Sequence, residues 1–247
     1  MGQPDISAAE LDRLERAAAL LLEAEDRLPV LKTIAWNRSL ADAFFESGER
    51  ELPRPVYPHI DAGPSLERVA EARRLIDGSS PVHDWLLRLS ETVADTAHML
   101  EAVGTADFHR YSSRLYGGPA SPIADGKRTA LDLARRLDDV LADFDGAAVR
   151  LEPPEVLTAD DLKARLDAEL PAAFGAVAPR VEVTLDVSAK AAAGRDYIKL
   201  RADAAFSDLD VVQLLQHEAF IHIATSQNGL RQTHFPVLAE SHPGNAR

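Results

Sequence analysis

Residues 214–225 run Leu214-Leu215-Gln216-His217-Glu218-Ala219-Phe220-Ile221-His222-Ile223-Ala224-Thr225, and the reading of this stretch decides the architecture around it. With Val211 and Val212 just before it, apolar residues fall on every side of a helical wheel. A helix apolar all round is expected to be buried. Yet His217, Glu218 and His222 stand in its middle. An unpaired carboxylate buried there would cost several kcal/mol, comparable to the whole stability margin of a domain. A divalent cation is the simplest partner, since it would satisfy both imidazoles and hold Glu218 ionised.

The spacing sharpens this into geometry. In the familiar zinc-peptidase motif HExxH the histidines lie four residues apart, which leaves them about 40° apart on a regular helix. Here they lie five apart, about 140° on the same helix, too far to share an ion. The motif therefore predicts a one-residue bulge of the i→i+5 type between His217 and His222, a feature that concentrates at functional sites. A plainer alternative stays open on spacing alone. Glu218 and His222, four apart, could form a simple ion pair, and His217 could be a satisfied core histidine.

Outward from this segment, the helix is expected from Asp208 to about Thr225, closed by the turn dipeptide Asn228-Gly229. Before it, Val181 to Val187 and Tyr197 to Arg201 each alternate with period two, and Gly194 between them suggests that the two strands form a hairpin. A helix from Ala159 to Phe174 opens on Thr158 as cap. The rest of the chain has helical periodicity. Helices are expected over Ser7 to Leu28, Val30 to Phe45, Ser65 to Ile76, Pro81 to Val103, Ala106 to Leu115 and Asp125 to Phe144. Prolines at 53, 55, 58 and 64 make Leu52 to Pro64 an extended crossing. The fold class is thus mainly α, of α+β type. A helical domain spans 1–150, and a second unit with a β-hairpin and a buried helix spans 151–247.

Composition excludes several functions. A net charge of −13 without a Lys/Arg run argues against nucleic acid as partner. The absence of cysteine rules out disulfides and thiolate ligands. No stretch is apolar for long enough to span a bilayer, and the acidic N-terminus lacks the basic start of a signal peptide, so a cytoplasmic location is expected. His59, His83, His98 and His109 have no partner at ligand spacing and are expected to be structural or surface residues. Asp138-Asp139 is expected on a solvated face.

The run from Tyr197 to Ser207, then Leu214-Leu215-Gln216-His217-Glu218, His222, Asn228-Gly229 and Gln232, resembles the QEGLA-motif family of zinc metallopeptidases, which use HExxxH. Leu31-Lys32-Thr33-Ile34-Ala35-Trp36 and Leu115-Tyr116-Gly117-Gly118-Pro119 extend the likeness into the N-terminal half. Bacterial members are labelled flavohemoglobin expression-modulating proteins, and animal relatives are tubulin tyrosine carboxypeptidases. The resemblance implies a partial zincin-like unit over 151–247. It makes His217 and His222 ligands of Zn2+, and Glu218 the general base that deprotonates the metal-activated water. It also implies a peptide or protein C-terminus as substrate. Tyr197, Arg201, Asn228 and Gln232 are candidate substrate-binding residues, with Arg201 and Arg231 as possible partners for a terminal carboxylate. An extended substrate could pair with the edge of the 197–201 strand.

The family's third ligand, the glutamate of QEGLA, has no counterpart before the chain ends at Arg247. The expectation is an N-terminal portion of a longer protein, inactive or weakly metal-binding by itself unless His234, Glu240 or His242 substitutes. A rival reading of a different class is a non-catalytic regulatory or protein-interaction module.

Overall fold

The computed structural model describes residues 6–123, 125–142, 156–187 and 189–240. It is mainly helical with one three-stranded sheet, the α+β class expected. The chain packs as two compact units, Met1–Gly118 with Gly229–Arg247, and Pro119–Asn228. The expected boundary at 150/151 falls outside the described residues.

The first unit holds α1 (Ala8–Glu25), α2 (Val30–Ile34), α3 (Arg38–Glu46), α4 (Gly63–Leu75), α5 (Pro81–Glu101) and α6 (Ala106–Tyr116). Ser7 opens α1 by accepting the Glu10 N–H at 3.3 Å, which satisfies one of the helix's unpaired donors. Leu14 and Leu21 of α1 pack with Val69 of α4, Leu86, Val93 and Leu100 of α5, and Leu115 of α6. The single helix expected over Val30 to Phe45 is broken in two. Ala35 is extended, and the Asn37 side chain accepts the Leu40 N–H at 3.3 Å, starting a new helix where periodicity alone predicted continuity. Gly117, at φ 77°, ends α6 in a conformation that a Cβ would oppose.

The isolated histidines are placed structurally or at the surface. His83 is fully buried, its Nδ1 2.8 Å from Ser80 Oγ and its Nε2 3.4 Å from Glu10 Oε1. His98 stacks on Tyr111 at 5.3 Å, while His59 and His109 are exposed.

The second unit begins with α7 (Ala130–Ala142), shorter than the helix expected from Asp125. Asp125 is spent on a turn instead, its Oδ1 accepting the N–H groups of Lys127 and Arg128, both at 2.9 Å. The helix then starts after Thr129, whose Oγ1 accepts the Asp132 N–H at 3.2 Å. The expected end of this helix, at Phe144, lies outside the described residues.

Next, α8 (Ala159–Phe174) opens on a capping box in which Thr158 and Asp161 bond reciprocally. Its Leu162, Leu166 and Leu170 are buried against Val181 of β1 (Arg180–Thr184) and against Ile198 and Leu200 of β3 (Tyr197–Arg201). Between these strands in sequence lies β2 (Ala191–Ala193).

The hairpin expected between the first and last of these strands is not formed. The sheet order is β1-β3-β2, with β1 parallel to β3 and β2 antiparallel to it. Parallel neighbours need a connection of about a dozen residues, and within that connection β2 runs along the far side of β3. The true hairpin is β2–β3, closed by the Gly194 N–H to Tyr197 carbonyl bond at 2.9 Å. This leaves β3 central, so the edge available to an extended peptide in the β2 direction belongs to β2. No helix among the described residues is long and apolar enough to cross a membrane.

Candidate active site

The segment quoted at the outset lies in one continuous helical run of three parts. It starts as α9 (Asp208–Gln213), becomes a π-helix over Leu214–Ile223 and resumes as α10 (Ala224–Leu230). Its beginning is a second capping box. Ser207 Oγ accepts the Asp210 N–H at 3.3 Å, and Asp210 Oδ2 accepts the Ser207 N–H and hydroxyl at 2.7 and 2.9 Å.

In the π-helical part backbone bonds reach back five residues, as when the Ala224 N–H bonds the Ala219 carbonyl. Residues i and i+5 therefore come onto one side. The Nε2 atoms of His217 and His222 are 3.1 Å apart, with ring centroids separated by 4.7 Å and planes at 85°. Two imidazole nitrogens bound to one tetrahedral zinc at ordinary bond lengths would stand about 3.3 Å apart. The pair thus fits two corners of such a site. The i→i+5 bulge that the spacing demanded is present, and the pairing of Glu218 with His222 that offered a plainer account is not needed to place the imidazoles.

The helix is not buried all round, contrary to expectation. Leu214, Ala219 and Ile223 are turned into the core, whereas Phe220 and Ile221 are 39% and 56% exposed. The reason is that α8 and a three-stranded sheet form one wall only, and they cover one face of the run. Phe220 is held at the surface by stacking on Phe174, centroids 5.9 Å apart. Both histidines are exposed and Glu218 is half-buried. The burial cost that seemed to require a cation is therefore smaller than an all-apolar helix implied.

Glu218 lines an open cleft of about 280 Å³ with Lys190, Ala191, Phe206, Asp210, Gln213 and Leu214. The Lys190 ammonium lies 5.7 Å from the centre of the Phe206 ring. Sequence reasoning missed Lys190, Phe206 and Gln213 here, because their approach to Glu218 depends on how β2 and the residues after β3 pack on the helix. Asp210 was missed as well; it belongs to the Ser207 capping box.

The expected substrate-binding residues are dispersed. Tyr197 and Arg201 share one face of β3, with the Tyr197 ring 5.4 Å from the Lys199 ammonium and Arg201 Nε 2.8 Å from Asp203 Oδ1. Asn228 is exposed on α10, and Gln232 follows it, its N–H bonded to the Gly229 carbonyl at 3.0 Å. None of the four lines the cleft beside Glu218.

The expected turn at Asn228-Gly229 is helical instead, since α10 runs on to Leu230. Glycine is needed there for a different reason. A Cβ on Gly229 would lie 2.3 Å from the backbone of Leu238 and Ala239, in the 3₁₀ turn Pro236–Ala239.

Among the described residues no group of three His, Asp or Glu side chains converges as a metal site. Of the three candidate third ligands, His234 contacts the Glu15 carboxylate of α1 through Nδ1. Glu240 is half-buried beyond the 3₁₀ turn, and His242 lies outside the described residues.

No curated protein and no solved structure matches this chain in the comparisons made. Residues 42–247, however, match the family described as "Microtubule-associated tyrosine carboxypeptidase". That span runs from within α3 through the later helices of the first unit, the sheet and the π-helix with its two histidines, and the chain belongs to this family.

Proposed function

We propose that this protein is a zinc-dependent peptidase of carboxypeptidase type, with His217 and His222 as metal ligands and Glu218 as general base. The single observation that supports the reading most is the π-helix, which sets two exposed imidazole nitrogens 3.1 Å apart. Family membership supports the reaction class, and the family's name points to the C-terminus of a protein as substrate. The resemblance to the QEGLA-motif peptidases supplies the metal.

Zinc held by this pair would serve as a Lewis acid and make a bound water more acidic. The protein's own part is then specific. His217 and His222 present their Nε2 atoms together on one side of the helix, where they would hold the ion. Glu218, one residue along and facing an open cleft, accepts a proton from the attacking water on its carboxylate and returns it to the leaving amine. β2 is an end strand of the sheet, and an extended peptide could add its backbone there as a further strand.

The test is zinc content of the purified chain and of a His217→Ala/His222→Ala variant, together with release of the C-terminal residue from peptides. Zinc bound by the wild type and lost in the variant supports the reading, and equal zinc in both would sink it. A non-catalytic interaction module is the second reading. What favours it is α7, where Leu137, Val140 and Leu141 are each more than half exposed. Such an apolar face is typical of binding surfaces. Unchanged cellular function in a Glu218→Gln variant would favour that module.

A further inference from the structure

We infer that Leu214 is the positioning residue of the imidazole pair: its burial selects the i→i+5 winding that brings His217 and His222 together, with no ion needed to impose it. The inference goes beyond the peptidase reading and rests on it only for the pair's role as metal ligands.

The dipeptide Leu214-Leu215 offers the core two registers. On a regular α-helix Leu215, Ala219 and Ile223 recur every four residues, each about 40° from the last, and form one apolar stripe. Leu214 would then stand about 140° from Ala219 and about 180° from Ile223, on the open side. The structure takes the other register. Leu214, Ala219 and Ile223 are 8%, 0% and 0% exposed, in one core cluster with Leu166 of α8 and Ile198 of β3. Leu215 is only partly buried, yet it still packs against that cluster. With i→i+5 bonds the step of five from Leu214 to Ala219 closes about one turn, so Leu214 joins the face that Ala219 and Ile223 already hold.

This winding packs two leucines against the core where an α-helix would pack one, and the apolar surface withdrawn from water favours it. A helix has one winding for all of its faces. The five-residue step that buries Leu214 is matched on the exposed side by the five-residue step from His217 to His222, whose Nε2 atoms lie 3.1 Å apart. Core packing on one face therefore sets the imidazoles on the other.

The experiment uses the full chain, freed of metal by chelation. Cross-peaks between the ring protons of His217 and His222 in NMR spectra report the winding directly. The binding probe is Cu(II)–iminodiacetate, which keeps positions open for imidazoles and so needs no further ligand from the protein. The metal-free wild type should show the cross-peaks. Leu214→Gln removes the preference for i→i+5 winding, so it should lose them and bind the probe about 10–100-fold more weakly, the loss expected when the support of metal ligands is removed. Leu215→Gln makes the same change one position along and should keep both, as should Leu214→Met, which conserves volume. Circular dichroism checks that each variant folds, and if Leu214→Gln does not, the cross-peaks of the metal-free wild type decide alone. Equal losses in the two glutamine variants, or cross-peaks that appear in the wild type only after zinc is added, overturn the assignment. Cross-peaks in a metal-free chain that binds neither zinc nor the probe would leave Leu214 in its role and remove the peptidase reading.

Discussion

His217 Nε2 and His222 Nε2 meet at 3.1 Å although five residues separate them in sequence, because the helix that carries both is wound with i→i+5 bonds from Leu214 to Ile223. Either side chain alone would be an ordinary exposed histidine. Together they place two imidazole nitrogens on one side of the helix. Single His217→Ala and His222→Ala variants are expected to weaken zinc binding by more than about 100-fold each, beyond what loss of an outer-shell partner costs. Competition with a chromogenic chelator measures this, and a variant that retained wild-type affinity would remove its histidine from the site.

Glu218 should separate chemistry from metal binding. Glu218→Gln keeps the shape and removes the base, so kcat for release of a C-terminal residue should fall by about 10²–10⁴, while zinc content stays at the wild-type level. Loss of zinc along with activity would instead point to Glu218 as a ligand.

Gly229 is a packing requirement, and this can be tested without any assay of function. Alanine favours a helix interior by about 1 kcal/mol over glycine. Against that, its Cβ would lie 2.3 Å from backbone atoms of Leu238 and Ala239, which have no flexible end to swing away. Overpacking of this kind costs about 1–3 kcal/mol. Gly229→Ala should therefore lower the melting temperature, by about 2–4 °C per net kcal/mol for a chain of this size. A rise would show that the 3₁₀ turn Pro236–Ala239 yields easily.

Asp125 should titrate unusually low. The Arg128 N–H, the Lys127 N–H and then the Arg128 guanidinium all stabilise its charged form, lowering its pKa from 3.8 to about 2. A folded-state pKa below the unfolded one means that the turn's extra stability is complete above about pH 4 and is lost as pH falls toward 2. Carboxyl carbon shifts followed by NMR should place the Asp125 midpoint near 2. Amide exchange at Lys127 and Arg128 should quicken across the same window, and Asp125→Asn should abolish that pH dependence. A midpoint near 3.8 would mean that these hydrogen bonds do not persist in solution.

Much of this molecule is visible in local sequence. The caps at Ser7, Thr158 and Ser207, the buried stripe of α8 and the alternation of β3 are each set by interactions within a few residues. Even the π-helix was legible. Two histidines five apart cannot share one side of a regular helix, so a motif that needs them together implies i→i+5 bonding. Where local signals competed, periodicity alone misled. Asn37 broke an apolar run, and Asp125 formed a turn in place of a helical start, because a side chain that bonds nearby backbone donors overrides a weak helical preference.

What only the tertiary structure decided concerns residues far apart in sequence. The strands around Val181 and Ile198 carry the alternation of a hairpin but pair in parallel. Register and direction depend on which edge is free when the sheet assembles, and a period of two carries no information on that. The helix around His217 has apolar residues on every side but is covered on one, since burial depends on how much structure is available to cover it. Gly229 resembles a turn and is instead a contact, fixed by backbone lying nine residues further on. The cleft that unites Lys190, Phe206 and Glu218 exists only because β2 returns beside the π-helix, and that return is a property of packing across the whole unit.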